Sequence, residues 1–227
     1  MRAALQCVLN FHGIGEPHPG VSNDEAPYWL SRERFRMVLN QVTDLRHTGR
    51  NIVLTFDDGN LSDLTVAAPI LAEHNLQAEF FVLTGRLNDP KYLSPDGLRT
   101  LRDMGMRIGL HGQDHVDWRE LSPEALRQET TIARKQLARI IEAPIYNVGI
   151  PFGAYDRRII THLIQEGFSA IYTSDGGYAR SDAQVRPRTS LRADMSDDLI
   201  EIILRDGFNL RTRLRRRMRG IVKQHLI

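Results

Sequence analysis

Short apolar runs alternate along this chain with longer stretches in which apolar residues recur at helical spacing. Seven of the short runs predict strands, at residues 3–11, 51–56, 78–83, 107–110, 145–150, 168–173 and 185–191. Residues 35–45 and 126–141 carry apolar side chains at i, i+3 and i+4 spacing, which predicts amphipathic helices. The alternation predicts one α/β domain with a mainly parallel sheet, either an open doubly wound sheet or an incomplete barrel.

Residues that start, end or interrupt helices support this division. Helix boundaries are predicted at Ser94-Pro95, Ser122-Pro123, Gly49, Gly105 and Gly167. Pro69 predicts a kink or a restart in the helix at 61–73, because proline has no N–H to donate. Residues 12–30, rich in Gly, Pro and Asp, predict a long loop after the first strand, and such a loop often forms the lip of a substrate site.

The first candidate for chemistry is the segment Thr55-Phe56-Asp57-Asp58-Gly59, which ends the second predicted strand. Two adjacent carboxylates repel each other unless a cation or a basic group lies nearby. Taken alone, the segment also fits an ordinary turn, because Asp-Gly is a common turn pair.

The second candidate is His111-Gly112-Gln113-Asp114-His115, directly after the fourth predicted strand. Histidines four residues apart face the same side of a helical turn and can bind one cation. Because loops after parallel strands meet at one edge of the sheet, Asp58, His111 and His115 can form a ligand set of two imidazoles and one carboxylate. Asp57 is then free to act as a base. The two segments together predict a hydrolytic metal site.

These segments resemble the motifs of the polysaccharide deacetylases of the NodB type, which are family four of the carbohydrate esterases. Residues 55–59 match the first motif, in which the first aspartate is the base and the second a metal ligand, and 111–115 match a His-x-x-x-His motif. Asn10-Phe11-His12-Gly13 and Ala78-Glu79-Phe80-Phe81-Val82 resemble the family's strands beside the site. The resemblance spans residues 5–190 and implies a distorted (β/α) barrel of about seven strands, formed by residues 1–209.

The family's third motif, Arg-x-Pro-aromatic-Gly, is Gly149-Ile150-Pro151-Phe152-Gly153 here, so glycine replaces the arginine. The resemblance implies that the backbone N–H of Phe152 helps to hold the oxyanion, with Pro151 and Gly153 at the substrate. In the family, the missing arginine orients the catalytic base. Arg186 or Arg188 is a candidate to replace it, and both also fit surface arginines beside a proline.

Two further family motifs are incomplete. Asp175 lies near the fourth motif and is a candidate to support an arginine at the substrate, although an Asp-Gly-Gly turn explains it equally well. The fifth motif, a Leu-x-His that supplies the general acid, has no match. His12, at the end of the first strand, is the candidate proton donor, and a loop histidine without a function is the alternative.

The resemblance implies a metal-dependent hydrolase that removes acetyl groups from the sugars of a polysaccharide or a glycan intermediate, with zinc as the first choice of divalent cation. Because no motif supplies the general acid, O-acetyl groups are candidates besides N-acetyl groups, since an alkoxide leaves with less help than an amine. The alternative is a metal-containing glycan-binding module that turns nothing over.

The charge distribution adds a separate feature. The formal net charge of the 227 residues is +2, but residues 211–227 hold seven of the 30 basic residues and no acidic one, which leaves 23 basic against 28 acidic residues elsewhere. Residues 210–227 also carry apolar side chains at helical spacing, which predicts a basic amphipathic helix that either binds an anionic membrane surface or packs on the acidic body. No aromatic residue lies among these basic residues, so nucleic acid is not an expected partner.

The cysteine count and the apolar runs bear on where in the cell the protein lies. A single cysteine, Cys7, excludes an internal disulfide. Residues 1–11 do not fit a signal peptide, and no run approaches the roughly 18 apolar residues of a membrane helix. We therefore expect a cytoplasmic protein, peripheral to the inner membrane if the terminal helix binds lipid.

Overall fold

Nine strands form the frame of the structure, a computed structural model that describes residues 4–205. They are β1 Leu5–Phe11, β2 Ile52–Phe56, β3 Ala78–Leu83, β4 Arg107–Gly112, β5 Asn147–Gly149, β6 Ala170–Thr173, β7 Tyr178–Arg180, β8 Val185–Pro187 and β9 Thr189–Ser190. Eight of them pair in the order β7-β1-β2-β3-β4-β5-β6-β8, and β9 pairs with β1. Only the pairing of β7 with β1 is antiparallel within this described range.

One segment closes the sheet into a nearly complete barrel. β8 pairs with β6, and β9, one residue later, pairs with β1 on the other side of the gap. β7 and β8 also contact each other. The residue between β8 and β9 is Arg188, so it lies where the barrel closes. The incomplete barrel is confirmed, and the open doubly wound sheet is wrong.

Helices pack on the outside of the barrel. They are α1 Arg32–His47, α2 Ala68–Glu73, α3 Pro95–Asp103, α4 Pro123–Arg127, α5 Ala133–Ile141, α6 Arg157–Gln165 and α7 Asp197–Arg205. Two π-helical turns, Asp63–Ala67 and Gln128–Ile132, precede α2 and α5. Short 3₁₀ helices lie at Ala26–Tyr28, Thr84–Arg86, Trp118–Glu120 and Pro151–Gly153.

The helix boundaries agree with the signals in the sequence. The hydroxyls of Ser94 and Ser122 each accept a hydrogen bond from the N–H three residues later, as N-caps do. Pro69 follows the first π-helical turn, so the predicted irregularity is confirmed as a change of helix type. Three helices are followed by glycines with φ between 77° and 83°, at Gly49, Gly105 and Gly167.

The strands differ from their predicted bounds in several places, and β5 and β6 each begin two residues later than predicted. β4 continues through Gly112, two residues beyond its predicted end. The predicted strand 185–191 is interrupted at Arg188, because the chain changes its partner there and the preceding Pro187 has no N–H for a ladder. Strand β7 was not predicted, since its three residues are too few to show an alternating pattern.

The two faces of the strands differ in character. The outward positions of β2, at Ile52, Leu54 and Phe56, belong to the apolar layer beneath the helices. A smaller apolar cluster occupies the inward positions of several strands, with Val8, Phe81, Ala170, Tyr172 and Ala179 as its members. Toward the carboxyl ends of β1 and β2 the inward positions become polar, at Asn10 and Thr55, and both of these side chains are buried. The barrel interior is therefore polar where β1 and β2 end, and a second polar pair, the buried Glu79 with Asn147, lies at the opposite end.

The terminal residues 1–3 and 206–227 lie outside the described part of the chain. The predicted basic helix at 210–227, and with it the membrane contact, falls in this region and stays a prediction. Within residues 4–205, no helix has the length and apolar character needed to cross a membrane.

Candidate active site and metal centre

The candidate site lies at the end of the barrel where β1, β2 and β4 terminate. Asp57 and Asp58 directly follow β2, His111 lies in β4 and His115 in the loop after it. Asp57, Asp58 and His111 are only 3%, 6% and 2% exposed. The loops after two separate strands thus bring together the residues that the sequence singled out, as expected for a parallel barrel.

Asp58 faces both histidines. Its Oδ1 atom lies 3.6 Å from Nε2 of His111 and 3.4 Å from Nε2 of His115. Ligand atoms of the three side chains all lie within 4.8 Å of one another. The same Oδ1 atom is buried without a hydrogen-bond partner, which is costly for a carboxylate unless a cation compensates it. These three residues therefore fit a divalent cation, whose usual ligands include imidazole nitrogens and carboxylate oxygens.

The two histidines converge through a strand end and a tight loop, which corrects the predicted helical turn. Gly112 has φ 107° and His115 has φ 54°, so the chain reverses sharply between them. Buried Glu129, in the π-helical turn before α5, accepts hydrogen bonds from the backbone N–H groups of Gln113 at 2.9 Å and Asp114 at 3.1 Å. A Cβ on Gly112 would lie 2.6 Å from the Glu129 carboxylate, so only glycine fits there. Glu129 thereby fixes the loop that carries the second histidine.

Hydrogen bonding and burial prepare both rings for metal binding. Nδ1 of His111 lies 2.8 Å from the carbonyl oxygen of Gly149 and donates to it, which leaves the lone pair of a neutral ring on Nε2, toward Asp58. Burial lowers the pKa of His115 to about 4, although the nearby Asp58 carboxylate opposes this. His115 is therefore neutral at neutral pH and can bind a cation.

Asp57 is clamped by Arg188 and Asn10. Arg188 donates from Nη1 to Oδ1 at 2.7 Å and from Nη2 to Oδ2 at 2.8 Å. Asn10 donates to Oδ2 at 2.9 Å, and its own oxygen accepts from Arg188 at 2.8 Å and from the Thr55 hydroxyl at 2.9 Å. Arg188 and Asn10 are fully buried. Bidentate pairing of this kind fixes the plane of the carboxylate as well as its position.

The charges around Asp57 keep it ionised. Burial alone would raise the pKa of Asp57, but the Arg188 guanidinium, with smaller contributions from His111 and His12, holds this pKa well below its ordinary value. Oδ2 of Asp57 lies 3.9 Å from Nε2 of His111. Asp57 is thus an oriented carboxylate beside the cluster of Asp58, His111 and His115.

Gly149 leaves room for this clamp. A Cβ at position 149 would lie 3.3 Å from Nη2 of Arg188 and 3.4 Å from Oδ1 of Asp57. Arg186 also lies in this region of the chain but two residues earlier along β8, about one layer deeper in the barrel. Its guanidinium donates to the Tyr172 hydroxyl at 3.3 Å and to backbone carbonyls. The structure brings Arg188 to Asp57 and does not bring Arg186 there.

The third motif forms a turn beside His115, one of the candidate metal ligands. Pro151–Gly153 is a 3₁₀ turn after β5, in which Phe152 has φ 57°. The Phe152 ring is 61% exposed, and its centroid lies 4.3 Å from that of His115. A Cβ on Gly153, which has φ 62°, would lie 2.6 Å from the side chain of Ser174. The turn therefore needs its glycine and places the ring of Phe152 beside that of His115.

His12 and Asp175 also lie near the site, and their predicted roles as proton donor and as support for an arginine stay predictions. His12 follows β1, with its ring centroid 4.8 Å from that of Tyr28 and its Nδ1 atom buried without a hydrogen-bond partner. Asp175 accepts hydrogen bonds from the hydroxyls of Tyr155 at 2.5 Å and Thr173 at 2.8 Å. These bonds tie the segment after β6 to the segment that follows the third motif.

Backbone strain concentrates at the site. Five described non-glycine residues have left-handed φ, and three of them are Asp58, His115 and Phe152, with φ of 75°, 54° and 57°. Each such residue costs on the order of 1–3 kcal/mol and persists only where its surroundings enforce it. Three of the five strained residues therefore lie at the candidate site, two of them in the ligand cluster of Asp58, His111 and His115.

Sequence reasoning assigned no role to two residues that support the site. Asn10 occupies an inward position of β1 between apolar neighbours, and Glu129 lies on the apolar stripe of the helix predicted at 126–141. A polar residue at a buried position needs a partner, so both positions were detectable as irregularities in the hydrophobic pattern. Their partners were not, because Asp57 and the loop after His111 are distant in the sequence.

Comparisons with known proteins find relatives of this chain among deacetylases. The sequence profile described as polysaccharide deacetylase matches residues 44–171, more than half of the chain. The chitooligosaccharide deacetylase of Rhizobium leguminosarum biovar trifolii is 29% identical over 55% of this chain and 57% of its own length. The peptidoglycan-N-acetylglucosamine deacetylase PgdA of Listeria monocytogenes is 28% identical over 51% of this chain and 24% of its own length. The chain thus spans less than two thirds of the curated relatives that it matches.

Solved structures share the fold. The Streptococcus pyogenes deacetylase PplD in complex with acetate has a TM-score of 0.78 and 19% identity, covering 89% of this chain and 99% of that one. The polysaccharide deacetylase BC0361 from Bacillus cereus has a TM-score of 0.77 and 16% identity, covering 89% and 70%. With the profile match over its central 128 residues, this chain belongs to the polysaccharide deacetylase family.

Proposed function

We propose that this chain is a metal-dependent hydrolase that removes acetyl groups from the amino sugars of a glycan. The observation that carries the proposal is the buried, unpartnered Oδ1 of Asp58 between two histidine nitrogens, with a second carboxylate held beside it by Arg188. Three ligands and a separate oriented base are the parts that hydrolysis of an amide or an ester needs. The names of the Rhizobium and Listeria relatives support N-acetylated sugars as the substrate class.

We assign a divalent cation, with zinc as the first choice, to Asp58, His111 and His115. Two imidazoles and one carboxylate occur as the protein ligands of catalytic zinc sites that keep a position open. When bound, the cation lowers the pKa of water from 15.7 to about 7 and polarises the acetyl carbonyl. The chain's own part is to hold the ligands, through the Gly149 carbonyl on His111 and through Glu129 on the following loop.

Asp57 accepts the proton of the attacking water. Its carboxylate is ionised at neutral pH, and its two oxygens are held by Arg188 and Asn10, so the acceptor needs no reorientation during the reaction. This clamp favours an enzyme over a glycan-binding module, because a module that only binds has no use for an oriented carboxylate beside the ligands.

Two further groups complete the proposed mechanism. The backbone N–H of Phe152 stabilises the developing oxyanion, a contribution of about 3–4 kcal/mol for one well-placed donor. His12 gives a proton to the leaving nitrogen. An amide needs this proton and an ester depends on it less, so activity on N-acetyl groups depends on His12 more strongly than activity on O-acetyl groups.

The test measures acetate release from acetylated chito-oligosaccharides by the metal-loaded protein. Asp57→Asn should lower kcat by about 10²–10⁴-fold, and Asp44→Asn, at an exposed position of α1, should leave it unchanged. His115→Ala should abolish stoichiometric metal binding, whereas His47→Ala, also exposed on α1, should not. Equal rates for Asp57→Asn and the wild type would remove Asp57 as the base. Metal-loaded wild type that releases no acetate would favour the glycan-binding module.

A further inference from the structure

A cavity between α4 and α6 lies on the outside of the barrel and takes no part in the chemistry above. Its volume is about 590 Å³, within the roughly 300–1,000 Å³ of small-molecule sites. From α4 it is lined by Pro123, Leu126 and Arg127, and from α6 by polar side chains between Arg157 and Glu166. None of these residues belongs to the candidate metal site or to the clamp beside it.

Hydrogen bonds fix both walls of the cavity. The Arg158 guanidinium donates to three backbone carbonyls of the segment 118–121, at 3.0–3.2 Å. Nε2 of His162 lies 2.8 Å from the Thr130 hydroxyl. This hydroxyl itself donates to the carbonyl of Leu126 at 2.7 Å, so the histidine is the donor of the pair. These bonds tie α6 to the chain on both sides of α4, and the cavity between the two helices is therefore a fixed feature.

Two arginines at the cavity have no partner of their own. Within residues 4–205, the side chains of Arg127 and Arg157 form neither a hydrogen bond nor an ion pair. Arg157 is also the first residue of α6, whose first turn holds no acidic residue. Because the N-terminal end of a helix carries a partial positive charge, an arginine at this position does not stabilise the helix. A residue that goes against the local preference is expected where its side chain serves a ligand.

The charges of the lining match a dianion. Burial lowers the pKa of His162, so this residue is neutral at neutral pH. The three arginines of the lining, against the single carboxylate of Glu166, leave a net charge of +2. A phosphate monoester carries a charge of about −1.5 to −2 at pH 7, and a guanidinium fork binds phosphate oxygens in pairs. A phosphate group therefore balances the charge of the cavity, whereas a neutral sugar does not.

The rest of the lining suits the remainder of a small molecule. Thr161 and Gln165 are exposed one turn apart on α6 and offer a hydroxyl and an amide. On the facing wall, Pro123 and the buried Leu126 offer apolar contacts. A phosphate ion alone would leave these groups unused, so the cavity fits a larger occupant.

We infer that this cavity binds the phosphate group of a small phosphorylated molecule through Arg127 and Arg157. Arg158 adds its charge while its donors hold the wall in place. The inference goes beyond the proposed function and does not depend on it, because the cavity and the metal site share no residue.

Removing the two free guanidinium groups tests the site. The assay is isothermal titration calorimetry of the full chain with glucose 6-phosphate, at constant ionic strength because salt screens exposed charges. The double variant Arg127→Gln, Arg157→Gln should bind about tenfold or more weakly, since it loses hydrogen bonds to a charged group. The matched control is Arg46→Gln, Arg139→Gln. It removes two exposed arginines from the last turns of α1 and α5 and should keep the affinity of the wild type.

Filling the cavity separates a built site from a diffuse positive charge. Thr161→Phe adds a ring to the cavity without changing its charge and should weaken binding as well. Thr100→Phe, at an exposed position of α3 outside the lining, should not. Glucose, which has no phosphate, should give no saturable heat, and inorganic phosphate should compete with glucose 6-phosphate. Far-UV circular dichroism checks that each variant is folded.

Absence of saturable binding of glucose 6-phosphate by the wild type would overturn the inference. Equal affinities of the two double variants would place the phosphate elsewhere on the chain, and equal affinities of Thr161→Phe and Thr100→Phe would show that the cavity is not occupied. Binding of glucose as tight as that of glucose 6-phosphate, or no competition by inorganic phosphate, would show that the phosphate group is not what the site recognises.

Discussion

Replacing Arg188 by methionine tests the clamp on Asp57 most directly. Arg188 is fully buried, and its Nη1 and Nη2 atoms donate to both oxygens of Asp57. Methionine occupies a similar length without the charge, so Arg188→Met leaves Asp57 buried without its guanidinium partner. It also removes the donor to Asn10.

Removing one partner of a buried ion pair costs about 3–5 kcal/mol, since the remaining charge keeps its desolvation penalty. For a protein of this size, that corresponds to a fall in Tm of about 6–20 °C. Adding Asp57→Asn to Arg188→Met removes the stranded charge, so the double variant should be more stable than the sum of the two single effects. We expect a coupling energy of about 2 kcal/mol.

Urea unfolding followed by far-UV circular dichroism measures these differences, with a chelator present so that metal binding does not contribute. The matched control is Arg180→Met. Arg180 also binds an aspartate, Asp182, through Nε at 2.9 Å and Nη2 at 2.7 Å, but these side chains are 63% and 55% exposed. Its loss should cost less than about 1 kcal/mol. If Arg188→Met costs no more than Arg180→Met, or if the double variant is simply additive, the buried clamp does not hold Asp57 as described.

Three further predictions concern the site and the core. The free energy of unfolding, measured in urea, should be about 1 kcal/mol higher for Phe152→Gly than for Phe152→Ala, because both lose the ring and only glycine tolerates φ 57° without strain. The opposite order would mean that the turn relaxes. Glu129→Gln should weaken zinc binding about 10–100-fold in a chelator competition, whereas exposed Glu124→Gln should not, and equal affinities would remove Glu129 from the support of the loop. Cys7, whose pKa burial raises to about 12, should react with a thiol reagent at pH 8 about 10³-fold more slowly in the native protein than in urea, and comparable rates would show that β1 opens readily.

The clustering of Asp58, His111 and His115 could be predicted from the sequence because each group is local. Asp57 and Asp58 adjoin at the end of an apolar run, and the two histidines frame a single loop. Their convergence followed from a general property of parallel sheets, whose carboxyl ends meet at one edge. The helical turn was wrong for an equally local reason. A spacing of four residues is typical of a helix. The loop between the histidines instead reverses through the positive φ of Gly112 and His115, and the spacing of hydrophobic residues does not predict such φ values.

The arginine that binds Asp57 could be predicted only as one of two candidates. Arg186 and Arg188 lie on the same face of one segment, because residues two apart in a strand point the same way. Which of them reaches Asp57 depends on their depth in the barrel, and depth depends on the pairing of β8 with β6 and of β9 with β1. Asn10 is a similar case, since its polar side chain marks an inward position but only the closed barrel reveals its partners.

The position of the arginine follows from how the barrel closes. Gly149 pairs with Tyr172, and Tyr172 pairs with Arg186, so these residues form one row across β5, β6 and β8. Arg188 lies one layer above that row, at the point where the chain stops pairing with β6 and begins to pair with β1. From there its side chain reaches Asp57 at the end of β2. A side chain at position 149 would enter the same space, because its Cβ alone would approach Arg188 to 3.3 Å. Glycine at 149 therefore accommodates the clamp as it stands, whereas a Cβ there would require Phe81 and Arg188 to shift by a few tenths of an ångström. The third motif has glycine at its arginine position, yet an arginine binds the Asp57 carboxylate. The closed barrel supplies that arginine from the segment between β8 and β9 instead of from the end of β5.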